Sequence, residues 1–204
     1  MTITYLIIGF TVLVSFFSFN NATAISRMIM NPYLVSTRKE YYRFLTSGFI
    51  HKDHMHLLFN MFSFFFFGQK LEMAFRQIFH GFGGTYFILM YILAIVVSDL
   101  PTFFKHRNNP GYNSLGASGG VAAVIFASII LTPLDDICIY FFCAPGFILG
   151  TLYLVFSFYM GRNSNDGINH DAHLYGALFG LLFCATLYPP SMPRFIEQIS
   201  TWRF

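Results

Sequence analysis

The sequence predicts an all-α integral membrane protein with six transmembrane helices, and three observations carry that expectation. Of its 204 residues, 55% are apolar and only 10% charged, with 28 Phe and 12 Tyr and a mean hydropathy of +0.57, whereas a soluble globular domain carries roughly 25% charged residues. Six stretches approach the roughly 20 helical residues that cross a hydrocarbon core, namely 2–20, 54–68, 81–99, 115–132, 138–160 and 171–188. Polar residues gather at the starts of the second, fourth and sixth stretches. The same numbers exclude other classes. A net charge of +3, with 12 Lys+Arg dispersed along the chain, makes no nucleic-acid-binding stripe, and the apolar excess is incompatible with disorder. No repeat, low-complexity segment or second domain is visible, so residues 1–204 read as one membrane domain.

Residues 2–20 lack a basic n-region and a small-residue cleavage site before Asn20, and read as a retained first helix rather than a signal peptide. The connection 21–53 is the longest and holds five of the twelve basic residues. It interleaves Tyr33, Tyr41, Tyr42, Phe44 and Phe49 with Arg27, Arg38, Lys39 and Arg43, a composition suited to the membrane interface, where rings sit at headgroup level and basic heads reach outward. Its plainest reading is an interfacial linker, although loops of this length are often functional. The second stretch, 54–68, is short for a crossing and opens on polar residues, so its start is expected below the membrane surface, shielded by protein. The fifth, 138–160, takes in Cys138 and Cys143, which together with Cys184 are expected as small core hydrophobes without a disulfide framework. Gly161 to His170, rich in Gly, Asn and Ser, reads as a mobile lid before the sixth stretch.

Polar residues inside membrane helices are costly and therefore functional candidates. With six crossings, stretches two, four and six all begin on one side of the membrane, so parity brings three clusters to similar depth. In the first, His56 and Asn60 are four apart and share a helix face. In the second, Ser118 lies in a first turn, where unpaired N–H groups and the positive helix end favour a developing oxyanion. In the third, His173 is accompanied by Ala172, Gly176 and Gly180, a stripe of small residues that lets another helix approach closely. Gly116, Gly119, Gly120, Ala122 and Ala123 offer a matching face, and close packing of the two would bring the His173 imidazole near the Ser118 hydroxyl, as a base must be to activate a weak nucleophile. Each feature alone has a plainer explanation in packing or interfacial hydrogen bonding. His51, His54 and His56 look like metal ligands in composition, but 54 and 56 point to different helix faces and no carboxylate or Cys completes a set, so no metal is expected. Asp171, two residues before His173, faces nearly the opposite way. The string Gly116 to Gly120 also fits the nucleophile elbow of α/β-hydrolases, but the turn-rich residues 108–113 before it form no strand.

Together these residues resemble the rhomboid family of intramembrane serine proteases in its compact six-helix bacterial form, over nearly the whole chain to about Tyr188. The resemblance rests on His56-x-x-x-Asn60, Gly116-x-Ser118-Gly119 and Ala172-His173-x-x-Gly176-x-x-x-Gly180, in the family's order. The family's Trp-Arg pair stands here as Tyr42-Arg43, which keeps an aromatic beside the Arg. The resemblance implies a rhomboid-like bundle that hydrolyses peptide bonds in or beside transmembrane helices of protein substrates in the bilayer, with a Ser118–His173 dyad and no metal or cofactor. His56, Asn60 and the Ser118 N–H would stabilise the oxyanion. The resemblance also suggests that lid movement and tilting of the fifth helix, which contains Gly146 and Gly150, admit the substrate sideways. An alternative from another class is a small transporter or non-catalytic membrane-protein binder using the same polar residues, but no internal symmetry supports a transporter.

Orientation draws on two expectations that disagree. The first, third and fifth connections carry eight Lys+Arg and the opposite side four, so positive-inside counting places the clusters at the cytoplasmic face. The bacterial members that this chain resembles instead open outward. Because five of the eight lie in the long first connection, the expectation adopted is a bacterial inner membrane with an outward-facing site.

Overall fold

A computed structural model describes residues 2–139, 141–163 and 166–203. It is predominantly helical: α1 (Ile3–Phe19), α2 (Ala22–Met28), α3 (Pro32–Arg38), α4 (Arg43–Thr46), α5 (His54–Phe79), α6 (Gly83–His106), α7 (Ser118–Leu131), α8 (Gly146–Asn163), α9 (His170–Leu187) and α10 (Ser191–Thr201). Between α7 and α8 the strands β1 (Asp136–Ile139) and β2 (Phe142–Pro145) form an antiparallel hairpin. The axis of the bundle is α7, which buries eleven of its fourteen residues against α5, α6, α8 and α9. Its small residues, Gly119, Gly120, Ala122, Ala123 and Ala127, make this possible, because neighbours can close in on them. Among the described residues, by length and apolarity one continuous stretch, His54–His106, suffices to cross a membrane alone, and α9 with α10 makes an apolar pair bent by 112°.

Several boundaries differ from expectation, each for a physical reason. The second helix continues to Phe79 because the polar residues that seemed to end it have partners inside the protein. Glu72, 1% exposed, accepts hydrogen bonds from the backbone N–H groups of Ile3 and Thr4 at 3.0 and 2.9 Å, the Thr4 hydroxyl at 2.8 Å and the Arg76 guanidinium at 2.8 Å. Its carboxylate thus caps the start of α1, whose first turn has no acceptor of its own. Lys70 pairs with Asp135 at 2.6 Å, joining α5 to the turn after α7 and holding the Asp135 carboxyl below the usual carboxylate range. The third helix runs through Pro101 to His106. Thr102 donates to Asn169 at 2.9 Å and Phe103 packs on Phe44, which secures the turn that the proline weakens.

The expectation of a helix from residue 138, and with it a purely α chain, is corrected. Ile137, Cys138 and Ile139 are apolar enough to read as helix, but β-branched residues favour a strand. Cys138 and Cys143 face each other directly across the ladder and form a disulfide, so two of the three cysteines are cross-linked rather than core hydrophobes. Cys184 alone is buried as a free thiol among the described residues. Connection 21–53 is not a plain linker either. Asn21 and Asn31 cap α2 and α3 by accepting from Ala24 N–H and Leu34 N–H at 2.9 and 2.8 Å. The buried Arg43 guanidinium donates to the Ser26 and Ile29 carbonyls at the end of α2, both at 2.8 Å, and to Glu40 at 2.6 Å. Arg43 also holds the Glu40 carboxyl below its ordinary range. Finally, α10 was not anticipated; it is amphipathic, short and follows the bend, with Trp202 edge-on to Phe147.

Replacing Glu72 by Ala leaves the start of α1 and the Arg76 charge without their acceptor, so Glu72→Ala should lower stability by about 3 kcal/mol. Unfolding in detergent, monitored by circular dichroism, measures this, and Glu72→Gln should fall between the two.

Candidate active site

The starts of α5, α7 and α9 meet around one cavity of about 760 Å³ whose walls include His56, Asn60, Ser118 and His173. The starts of α5 and α9 are fixed by side-chain caps. Asp53 accepts from His56 N–H at 2.8 Å, which begins α5. One turn on, the Asn60 amide donates to the His56 carbonyl at 2.9 Å. Asn169 accepts from Ala172 N–H at 3.1 Å, which begins α9, and its backbone carbonyl accepts from His173 N–H at 3.3 Å.

The turn into α7 is held differently. Gly116 has φ +121°, a left-handed conformation that side chains disfavour, and a Cβ there would stand 2.6 Å from His56 Cε1. The Gly116 N–H donates to the Ser47 carbonyl at 2.9 Å, and the Ala117 N–H to His51 Nε2 at 3.4 Å. Since His51 Nε2 is an acceptor, Nδ1 carries the proton and donates to Ser15 Oγ at 2.9 Å, and the serine hydroxyl donates to the Phe49 carbonyl at 3.0 Å. Burial, with His56 beside it, pushes His51 down to about 3, so the ring stays neutral in this chain of bonds. The sequence signalled His51 only as one of several histidines. His54 packs on Phe19 instead, with ring centroids 4.5 Å apart, so the three histidines do not assemble.

Helices α7 and α9 meet backbone to backbone. A Cβ at Gly176 would collide with the Gly119 carbonyl, and one at Gly180 with the Ala123 carbonyl. Gly119 is closed in from a second side by Ser98 of α6 and lies near the Ala172 carbonyl. Two parts of the expected small face are corrected. Gly116 precedes α7 and is approached by His56, not by α9, and Gly120 faces Tyr91 and Ile95 of α6. Both corrections arise because α7 is surrounded, so its small residues serve different neighbours.

Around His173, the Tyr153 ring of α8 lies nearly parallel at 6.3 Å and 22°. The His170 ring stands across it at 5.8 Å, and His170 Nε2 is 3.1 Å from Asp166. Asp171 points away, to Lys105 at 2.8 Å. Of the expected lid, residues 161–163 are the last turn of α8 and 166–169 connect to α9, while Ser164 and Asn165 lie outside the described residues. Chemically, the site offers a half-buried hydroxyl in a helix's first turn, an imidazole on a closely packed neighbouring helix, and amide and imidazole groups on a third.

The Rhomboid domain matches residues 38–190. The chain is 28% identical over 167 residues to the mitochondrial RHOMBOID-like protein 12 of Arabidopsis thaliana, a match that covers 74% of this chain and 49% of the relative. The chain therefore spans about half the length of this curated relative.

Gly176→Ala should force α9 off α7 and cost about 1–3 kcal/mol. Unfolding in detergent, monitored by circular dichroism, measures this, and wild-type stability would show that the contact carries little of the fold.

Proposed function

Since this chain belongs to the rhomboid family, we propose that it is an intramembrane serine endopeptidase that cleaves transmembrane segments of protein substrates. One observation carries the reading: Ser118 and His173 stand on the wall of one cavity with His56 and Asn60. In this mechanism His173 takes the Ser118 proton as Oγ attacks the scissile carbonyl, then returns it to the leaving amine. The Ser118 N–H, in the first turn of α7, faces the developing oxyanion together with His56 and Asn60. Water then hydrolyses the acyl-enzyme.

An apolar cleft of about 870 Å³ between α5 and α8 supports sideways access. It is lined by Phe62, Phe66, Leu149 and Phe156, and it shares Ser63, Ile125 and Tyr153 with the site cavity. A hydrophobic helix can lie in the cleft while its unwound end reaches Ser118. In this reading α1, α5, α6, α7, α8 and α9 are the six crossings and α10 lies along the surface. The bacterial inner membrane and outward-facing site rest on the compact six-helix resemblance, whereas the matched relative is mitochondrial.

Ser118→Ala and His173→Ala should each abolish cleavage of a model transmembrane substrate in folded protein, and the double variant should be little worse, because nucleophile and base act as a unit. His56→Ala and Asn60→Ala should each lower kcat by about 10²–10³-fold, less where the remaining donors compensate. Fluorophosphonate labelling of Ser118 separates this reading from a client-binding protein without catalysis. Cleavage by purified Ser118→Ala would sink it. For orientation, single cysteines at Asn109 and Thr201, in a background without the native three, should show labelling by an impermeant reagent at Asn109; labelling at Thr201 alone reverses the assignment.

A further inference from the structure

The hairpin between α7 and α8 has no role in the mechanism above, yet it borders the apolar cleft. Asp136, Ile137, Cys138 and Ile139 of β1 line that cleft together with Phe62 and Phe66 of α5. Two strands of four residues each are marginally stable at best by themselves, and the two ends of this pair are held differently. Its base is anchored. Asp135, directly before β1, pairs with Lys70 at 2.6 Å, and its carbonyl accepts the N–H of Gly146, directly after β2, at 3.0 Å. Ile137 adds packing onto the cluster of Ala122, Phe126 and Ile129. Among the described residues the outer half has no ion pair or buried cluster to rest on. Ile139 and Phe142 are 55% and 62% exposed, and beside them Cys138 and Cys143, both exposed, are joined across the ladder by the disulfide. The cross-link therefore holds the register of the outer half.

The hairpin follows the end of α7 opposite Ser118, and Phe147, two residues after β2, touches Trp202 of the C-terminal segment at 5.3 Å. With an outward-facing site this is the cytoplasmic face, where glutathione keeps thiols reduced and disulfides are transient, and an exposed disulfide is open to exchange. We propose that Cys138 and Cys143 form a thiol–disulfide switch that sets the grip of the cleft on a transmembrane substrate. Oxidised, the pair holds Ile139 in the cleft wall; reduced, it lets the outer half of the hairpin fray, and that part of the wall is lost. The switch rests on the protease reading for its substrate and on the outward-facing site for its reductant. In the first step a glutathione thiolate attacks one cysteine sulfur, the S–S bond breaks, and the other cysteine leaves as a thiolate that takes up a proton. A second glutathione thiolate attacks the mixed disulfide and frees the first cysteine, so one protein disulfide and two glutathione thiols give two cysteine thiols and one glutathione disulfide. The reverse exchange with glutathione disulfide restores the cross-link. Cys184, 1% exposed and directed at the Ala127 carbonyl at 3.7 Å, stands outside this exchange.

The test uses the full chain in detergent, oxidised or treated with excess reduced glutathione, and a model transmembrane substrate. Maleimide should modify Cys138 and Cys143 after reduction and neither before it, with Cys184 protected in both states. Reduction should raise KM by about 3–10-fold, with kcat within about twofold and fluorophosphonate labelling of Ser118 unchanged, because the wall is lost and the reacting groups are not. The double variant Cys138→Ser, Cys143→Ser should show the higher KM with or without glutathione. Backbone amide exchange, which needs no activity, should rise on reduction in residues 137–139 and 142–144 and stay constant in α7. A disulfide that glutathione leaves intact in the folded protein overturns the proposal, as does an unchanged KM or unchanged exchange after reduction. Labelling of a cysteine at Thr201 from outside the cell also overturns it, because that face carries the hairpin and the cross-link would be permanent there. Should the wild-type chain neither react with the fluorophosphonate nor cleave, the protease reading fails by itself; raised exchange on reduction then still supports the switch, and unchanged exchange removes it.

Discussion

The structure depends on two helices, α7 and α9, approaching until their backbones touch. In a bilayer the lipid tails are as apolar as any side chain, so helices gain little by hiding from solvent and associate where packing is tightest. Gly176 against the Gly119 carbonyl and Gly180 against the Ala123 carbonyl provide such packing. Ser118 adjoins the first of these contacts and His173 lies one turn before Gly176 on the opposing helix. The interaction that holds the bundle therefore also sets the separation of hydroxyl and imidazole, and stability and geometry share one cause.

Around that axis, helix ends and turns are closed by side chains from other elements. Glu72 closes the start of α1, Arg43 the end of α2, His51 the turn before α7, and Asn169, held by Asp99, the start of α9. Where water is scarce, an unpaired backbone group is expensive, and a side chain that satisfies one from a distance also fixes how two elements sit. The long first connection is the clearest case: Met30, Val35 and Phe44 pack its short helices onto α6, and the Arg43 guanidinium, shared between two carbonyls and Glu40, ties those helices to one another.

Much of the site was legible in the sequence because its signals are local. His56 and Asn60 share a face by spacing, Ser118 opens an apolar stretch, and the Ala172, Gly176 and Gly180 stripe repeats at helical period. What escaped was non-local or locally ambiguous. Asp99 meets Asn169 across 70 positions, and neither residue carries a pattern that names the other. The segment from Ile137 to Cys143 is hydrophobic enough for either helix or strand, and only its pairing with itself decides. Glu72 and Arg76 lie beyond the end expected for the second stretch at residue 68, since a polar residue in sequence does not reveal whether another element will accept it. The short, amphipathic α10 gave no hydropathy signal at all.

The carboxylate that caps α1 has a consequence for how the protein is made. Thr4 is bound by a residue 68 positions further along the chain, so until that residue has been made the terminal amides of α1 must be served by other acceptors. They can transfer to Glu72 only after α5 has emerged and lain down beside it. Until then the start of the first helix lacks the acceptor that fixes it against α5. Its final depth is thus set by the docking of a later segment, which makes the α1–α5 pair a natural early unit of biogenesis.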